Sequence, residues 1–234
     1  MDLSKQFSLA DFLAYFFPGL FATIGIFLLL LVTPVQSTLA SISTDFITGA
    51  IFLALSYVVG VIISGFSMNM VNWISRAQNH ENPRGSLLPV QEFQDEVSEA
   101  FKDIFGKEKA KDKAQWSKTH FYMCRSLILD KMPAVAQRAE RQSSLRQLRG
   151  NLILPIFIWI MDGIGWGISS IKNGVLPWGV SLVIFSVLLG FITLKITLTR
   201  MYNNEVREIR EVLTGFLAGY RTGVFDTGKT KQAG

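Results

Sequence analysis

Residues 12–31 read FLAYFFPGLFATIGIFLLLL, and none of them carries a charge. The uncharged run extends to residue 44. A second covers 46–75 and a third 173–194. A fourth, 152–171, is broken only by Asp162. A helix needs about 20 mainly apolar residues to cross a hydrocarbon layer roughly 30 Å thick, because it rises about 1.5 Å per residue. A soluble chain of 234 residues has no core able to hide four such segments. The fold class predicted is all-α: a polytopic membrane protein with four transmembrane helices and a small helical cytoplasmic cap. Spans are placed at about 10–32, 47–71, 152–171 and 178–199.

Composition agrees. Apolar residues make up 49%, and the mean hydropathy of +0.32 leaves room for a polar portion. Cys124, the lone cysteine, excludes an internal disulfide. The first span is longer than a signal-peptide core and lacks a basic n-region and a small-x-small cleavage site, so it reads as a retained span.

Basic residues orient the spans. Residues 33–46 contain no Lys or Arg and 172–177 contain one, whereas 76–149 contain fourteen and 200–234 contain six. Basic residues stay on the cytoplasmic side. Both termini and the middle segment are therefore expected in the cytoplasm, in a bacterial inner membrane. Trp73 and Trp178 fall at proposed interfaces, where amphipathic rings prefer to sit.

Four regions follow: 1–75 with the first hairpin, 76–150 as a helical segment, 151–200 with the second hairpin, and 201–234 as a helix and tail. Pro18 lies inside the first span, so a kink is expected there, or else 5–17 forms a separate interfacial helix. Ser56, Gly60 and Ser64, and likewise Gly163 and Gly167, stand at four-residue spacing, which lets helix backbones approach closely. Both sets read as packing faces, within one chain or between copies.

Asp162 lies near the middle of the third span, where a carboxylate costs at least ~2.5 kcal/mol on insertion scales. Two readings stay open: ion or proton handling, and polar packing against a neighbouring helix. Lys195 is a candidate partner, although the two sit about 9 Å apart in depth at about 1.5 Å per residue. Thr193 and Thr197 are alternatives.

In the middle segment, Val90, Phe93, Val97, Phe101 and Ile104 recur at intervals of three and four, as on one face of a helix ending at Gly106. Residues 107–118 alternate in charge and read as a connector. Residues 116–132 read as a second helix. Residues 134–149 form a third, basic one, whose Arg138, Arg141, Arg146 and Arg149 suit anionic lipid headgroups or plain inside anchoring. Residues 201–216 repeat the amphipathic pattern.

Residues 223–230, GVFDTGKT, satisfy the phosphate-loop pattern G-x-x-x-x-G-K-[ST]. That loop works only between a strand and a helix whose first amides hold the phosphates. Four residues after the pattern leave no room for the helix, and no α/β domain surrounds it. His120 and Cys124 share a helix face, but zinc needs three or four ligands. No catalytic, cofactor or metal site is expected, and no direct nucleic-acid binding.

Asp11-Phe12-Leu13, Tyr15-Phe16-Phe17-Pro18-Gly19, Cys124-Arg125-Ser126, Arg138-Ala139-Glu140-Arg141 and Leu145-Arg146-Gln147-Leu148-Arg149-Gly150-Asn151 together carry a resemblance. The chain resembles small four-span bacterial inner-membrane proteins, similar in size and topology to the membrane subunit of the Kiwa anti-phage defence system. The resemblance implies a non-enzymatic role in antiviral defence and no active site. A sensor or scaffold is expected, forming a homo-oligomer in membrane lipid and recruiting a cytosolic effector protein. The alternatives are a pore-forming or depolarising effector using Asp162 and a small secondary transporter subunit. No repeat relates the two halves, which weighs against transport.

Overall fold

In the computed structural model, residues 9–31, 46–77, 87–106 and 116–225 are described. Every element among them is helical. They are α1 (Leu9–Leu31), α2 (Phe46–Ala77), a short 3₁₀ helix (Leu88–Phe93), α3 (Gln94–Phe105), α4 (Lys118–Lys131), α5 (Pro133–Asn151), α6 (Ile153–Lys172) and α7 (Leu176–Arg221). Four stretches are long and apolar enough to cross a membrane: Phe12–Leu30, Thr48–Val71, Pro133–Lys172 and Leu176–Arg221. The third includes α5 and α6, which are separated only by a turn at Leu152.

Two expectations are sharpened. α1 runs through Pro18 as one helix, so no separate interfacial helix ends at Phe17. Residues 201–216 continue the fourth span within a single helix of 46 residues. Neither proline nor glycine occurs between Phe191 and Thr214 to stop it. The pattern read as one helix over 90–104 is divided, because Val90 departs from helical dihedrals and Pro89 opens a 3₁₀ turn before α3. The loop at 79–86 and most of the connector at 107–118 lie outside the described residues.

The chain divides into two compact units. One comprises Met1–Gln78 with Ser144–Met201, and the other Asn79–Ser143 with Tyr202–Gly234. Their boundaries fall at 78/79, within α5 at 143/144 and within α7 at 201/202.

In the first unit, α1 packs on α2 and on α6. Small residues set the contacts. A Cβ on Gly19 would fall on the Ser56 carbonyl, and one on Gly60 would fall on the Tyr15 carbonyl. On the other flank α6 lies against α7: Gly163 meets Ser186, Gly167 meets Gly179 and Val183, and Gly190 meets Ile160. As one numbering rises the other falls, so the two helices are antiparallel. Gly174 makes the reversal, with φ +85°. The Val175 amide donates to the Ser170 carbonyl at 3.0 Å and the Gly174 amide to Ile171 at 3.1 Å, a Schellman closure of α6.

The outward faces are apolar. Ile51, Leu55, Val58, Ile62 and Phe66 of α2 are exposed, as are Phe185, Leu188, Phe191 and Ile192 of α7. Leaving such surface in water forfeits about 25 cal/mol per Å². Lipid removes that penalty.

The second unit has its own core. Val97 and Phe101 of α3 meet Phe121, Cys124 and Ile128 of α4, Val135 and Ala139 of α5, and Ile209, Val212, Leu213 and Phe216 of α7. Phe101 stands edge-on to Trp116 and His120, and Phe105 stacks on Phe216. Its outside is polar. Arg210 pairs with Glu92 at 3.7 Å and Arg138 with Glu211 at 3.7 Å, while Arg221 bonds Glu96 and Tyr220 bonds Asp103.

Candidate functional site

Prolines inside apolar helices create a hydrogen-bonding debt. Each lacks an N–H, so the carbonyl four residues earlier has no partner in its own helix. Pro18 leaves the Ala14 carbonyl open within α1, and Pro155, in the first turn of α6, offers no N–H to the Asn151 carbonyl that ends α5 across the turn at Leu152. In hydrocarbon an unpaired backbone group costs several kcal/mol. Both gaps are filled across helices. The Asn151 side-chain amide donates to the Ala14 carbonyl at 3.0 Å. The Ser67 hydroxyl of α2 donates to the Asn151 backbone carbonyl at 3.3 Å. Asn151 is 1% exposed and Ser67 is fully buried. Nearby along the same helices Gln147 donates to the Tyr15 hydroxyl, and Trp159 Nε1 donates to the Phe21 carbonyl at 3.0 Å.

Asp162 sits deeper in the same unit. It is 4% exposed, and neither carboxyl oxygen has a hydrogen-bond partner among the described residues. The carboxyl points at α1: a Cβ built on Gly25 would lie 3.2 Å from Asp162 Oδ2 and 3.4 Å from Trp159 Nε1. Gly25 is thus the space that receives the acid. The suggested partners are elsewhere. Thr193 and Lys195 are exposed and Thr197 is half-buried on α7, and none of them hydrogen-bonds the Asp162 carboxyl. The reason is depth and facing. Gly163 meets Ser186 and Ile160 meets Gly190, so Thr193 and Thr197 lie more than a turn further along α7 than the level of Asp162, while Lys195 falls off the row of Gly179, Val183, Ser186 and Gly190 that faces α6.

The other sequence candidates are placed as follows. Ser56 and Gly60 line the α1 contact, but Ser64 is off that face and bonds the Val61 carbonyl of its own helix at 2.7 Å. Strict four-residue steps drift about 40° each on a helix of 3.6 residues per turn, so the buried row is Ser56, Gly60, Ile63 and Ser67. Gly163 and Gly167 pack on α7 within the chain. Arg149 donates to the Arg200 carbonyl at 2.9 Å, Arg138 pairs with Glu211, Arg141 is exposed and Arg146 is half-buried. Of the four proposed headgroup ligands, only Arg141 is exposed with no hydrogen bond or ion pair among the described residues.

In the second unit, Glu208 is fully buried and lies 3.6 Å from the Arg125 guanidinium. Asn204, one turn away, is also buried. His120 Nδ1 accepts the Ser117 amide at 2.9 Å and so caps α4. Burial pushes the Cys124 thiol well above its ordinary range, which leaves it a poor nucleophile and a poor metal ligand. Among the described residues, no three His, Cys, Asp or Glu side chains gather as for a metal ion.

The start of the phosphate-loop pattern is structural. Gly223, with φ +70°, ends α7: the Val224 amide donates to Gly219 at 3.0 Å and the Gly223 amide to Tyr220 at 3.1 Å. Phe225 then folds back onto Phe216. The remainder of the pattern lies outside the described residues.

Ser67 and Gly25 were not singled out from sequence, and Asn151 entered only at the end of a run that carries the resemblance, with no bonding role assigned. The rule that each proline strands the carbonyl four residues before it was available. What was hidden is which distant side chain answers, across 137 and 84 residues. No protein-family model, curated protein or solved structure matches this chain.

Proposed function

We propose that the chain is a non-enzymatic membrane sensor or scaffold of the bacterial inner membrane. It works as a homo-oligomer, and its helical unit recruits a cytosolic partner, as the membrane subunit of an anti-phage defence system would. The observation that supports this reading is the pairing of two separately cored units. One presents apolar surface suited to lipid, and the other presents charge suited to an aqueous partner. The distribution of basic residues supports placing the second unit in the cytoplasm. Ser67 and Asn151, buried in the first unit, are engaged in holding helices together rather than in converging on a reacting atom.

The pore reading needs Asp162 on a conducting path shared between copies. Its carboxyl is turned inward to Gly25 of the same chain, which favours the scaffold. Native mass spectrometry of the detergent-purified full-length chain, with and without cytosolic extract, is the test. The scaffold predicts several copies and a bound protein that Arg141→Glu weakens. A monomer that binds no protein would contradict it. Membrane potential after expression of wild type and Asp162→Asn separates the pore, which predicts depolarisation by the wild type alone.

A further inference from the structure

Asn151 holds both proline gaps at once. Its side-chain Nδ2 serves the Ala14 carbonyl exposed by Pro18, and its backbone carbonyl, exposed by Pro155, takes the Ser67 hydroxyl. Three helices thereby meet on one residue. The amide has one bonded orientation: turned over, Asn151 Oδ1 would face the Ala14 carbonyl, acceptor against acceptor. Oδ1 itself is buried with no donor among the described residues, so the amide is held by the α1 contact alone. A shift of the Asn151 backbone moves both bonds together.

We propose that Asn151 is a conformational relay, through which a displacement of α2 at Ser67 reaches α1 at the Pro18 gap. The relay lies within the first unit and needs no ligand. It needs α1 to be unable to satisfy Ala14 by itself, which follows from Pro18, and the Asn151 carbonyl at the end of α5 to find no N–H four residues on, which follows from Pro155. Restoring an N–H at either place gives the stranded carbonyl a partner four residues on and relieves its dependence on the neighbour.

The experiment is a set of paired substitutions in the full-length protein in detergent, followed by helical unfolding and by hydrogen–deuterium exchange of residues 14–22 and 151–159. Asn151→Leu is expected to lower the unfolding midpoint and Pro18→Ala, added to it, to recover part of the loss. Pro155→Ala is expected to do the same for Ser67→Ala. The crossed pair, Asn151→Leu with Pro155→Ala, recovers nothing. Ser67→Ala is expected to speed exchange in 14–22 as well as in 151–159, and to lose its effect on 14–22 when Asn151 is already Leu. Equal recovery by either alanine, or an effect of Ser67→Ala on 14–22 that persists without the Asn151 amide, would overturn the relay. So would an effect confined to 151–159. If Asn151→Leu does not fold, the Ser67→Ala exchange pattern with and without Pro18→Ala decides: the relay predicts that Pro18→Ala shields 14–22.

Discussion

A glycine at a helix crossing is a statement about distance. Gly60 carries the α1–α2 contact because any Cβ there would occupy the position of the Tyr15 carbonyl, which belongs to backbone and cannot rotate away. Gly60→Ala should therefore force the helices apart and cost about 1–3 kcal/mol, the range for overpacked cores. Gly65→Ala, on the same helix with open space around it, should cost nothing measurable. Thermal unfolding of the two variants in one detergent gives the comparison. Cys124 makes a second prediction at this scale. Buried in the core of the helical unit and with its thiol pushed up by burial, it should resist maleimide in the folded protein and react on unfolding. Rapid labelling of native protein would show that this core is open. Small residues were legible in the sequence, but their phase was not. Ser64 satisfied the spacing rule and lies off the contact, while Ser67 continues the buried row toward Asn151, because 3.6 residues per turn does not keep step with a repeat of four.

Elements were the most legible level. Uncharged length gave all four spans, since hydrocarbon thickness imposes it whatever the tertiary contacts. The two places where boundaries moved have local causes: α7 meets no breaker where the fourth span ends, and the 3₁₀ turn that Pro89 opens takes the start of the 90–104 pattern, with Val90 off helical dihedrals. What could not be read was which polar group serves which helix, because partners far apart in the chain are chosen by packing. Glu208 of α7 illustrates this. It is one of the charged residues of the amphipathic 201–216 pattern, yet it is fully buried beside Arg125 of α4. Removing one partner of a buried pair strands the other charge, whereas replacing both with apolar residues is often neutral. Arg125→Met should thus destabilise the protein by about 3–5 kcal/mol at most, with Arg125 being partly exposed, and Arg125→Met combined with Glu208→Leu should recover much of that. Chemical unfolding of single and double variants decides it, and equal loss in both would mean that the pair contributes nothing specific.

For the whole molecule, solvent determines the account. The first unit turns Phe66, Phe185, Leu188 and Phe191 outward, while the second buries Phe101, Phe121 and Phe216 in its core. Phe216→Ala should accordingly cost about 3–5 kcal/mol, whereas Phe191→Ala, facing lipid in both folded and partly unfolded states, should leave unfolding nearly unchanged; circular dichroism in detergent compares them. The central claim is that four helices cross a bilayer with the arginine-rich segments inside the cell. Single-cysteine accessibility in intact cells tests it most directly, using Val175→Cys and Ser126→Cys in a Cys124→Ala background with a membrane-impermeant maleimide. Val175 lies in the turn between α6 and α7 and Ser126 on the exposed side of α4. The account predicts labelling at 175 in intact cells and at 126 only after permeabilisation. Labelling of 126 in intact cells with protection of 175, or equal labelling of both, would contradict it.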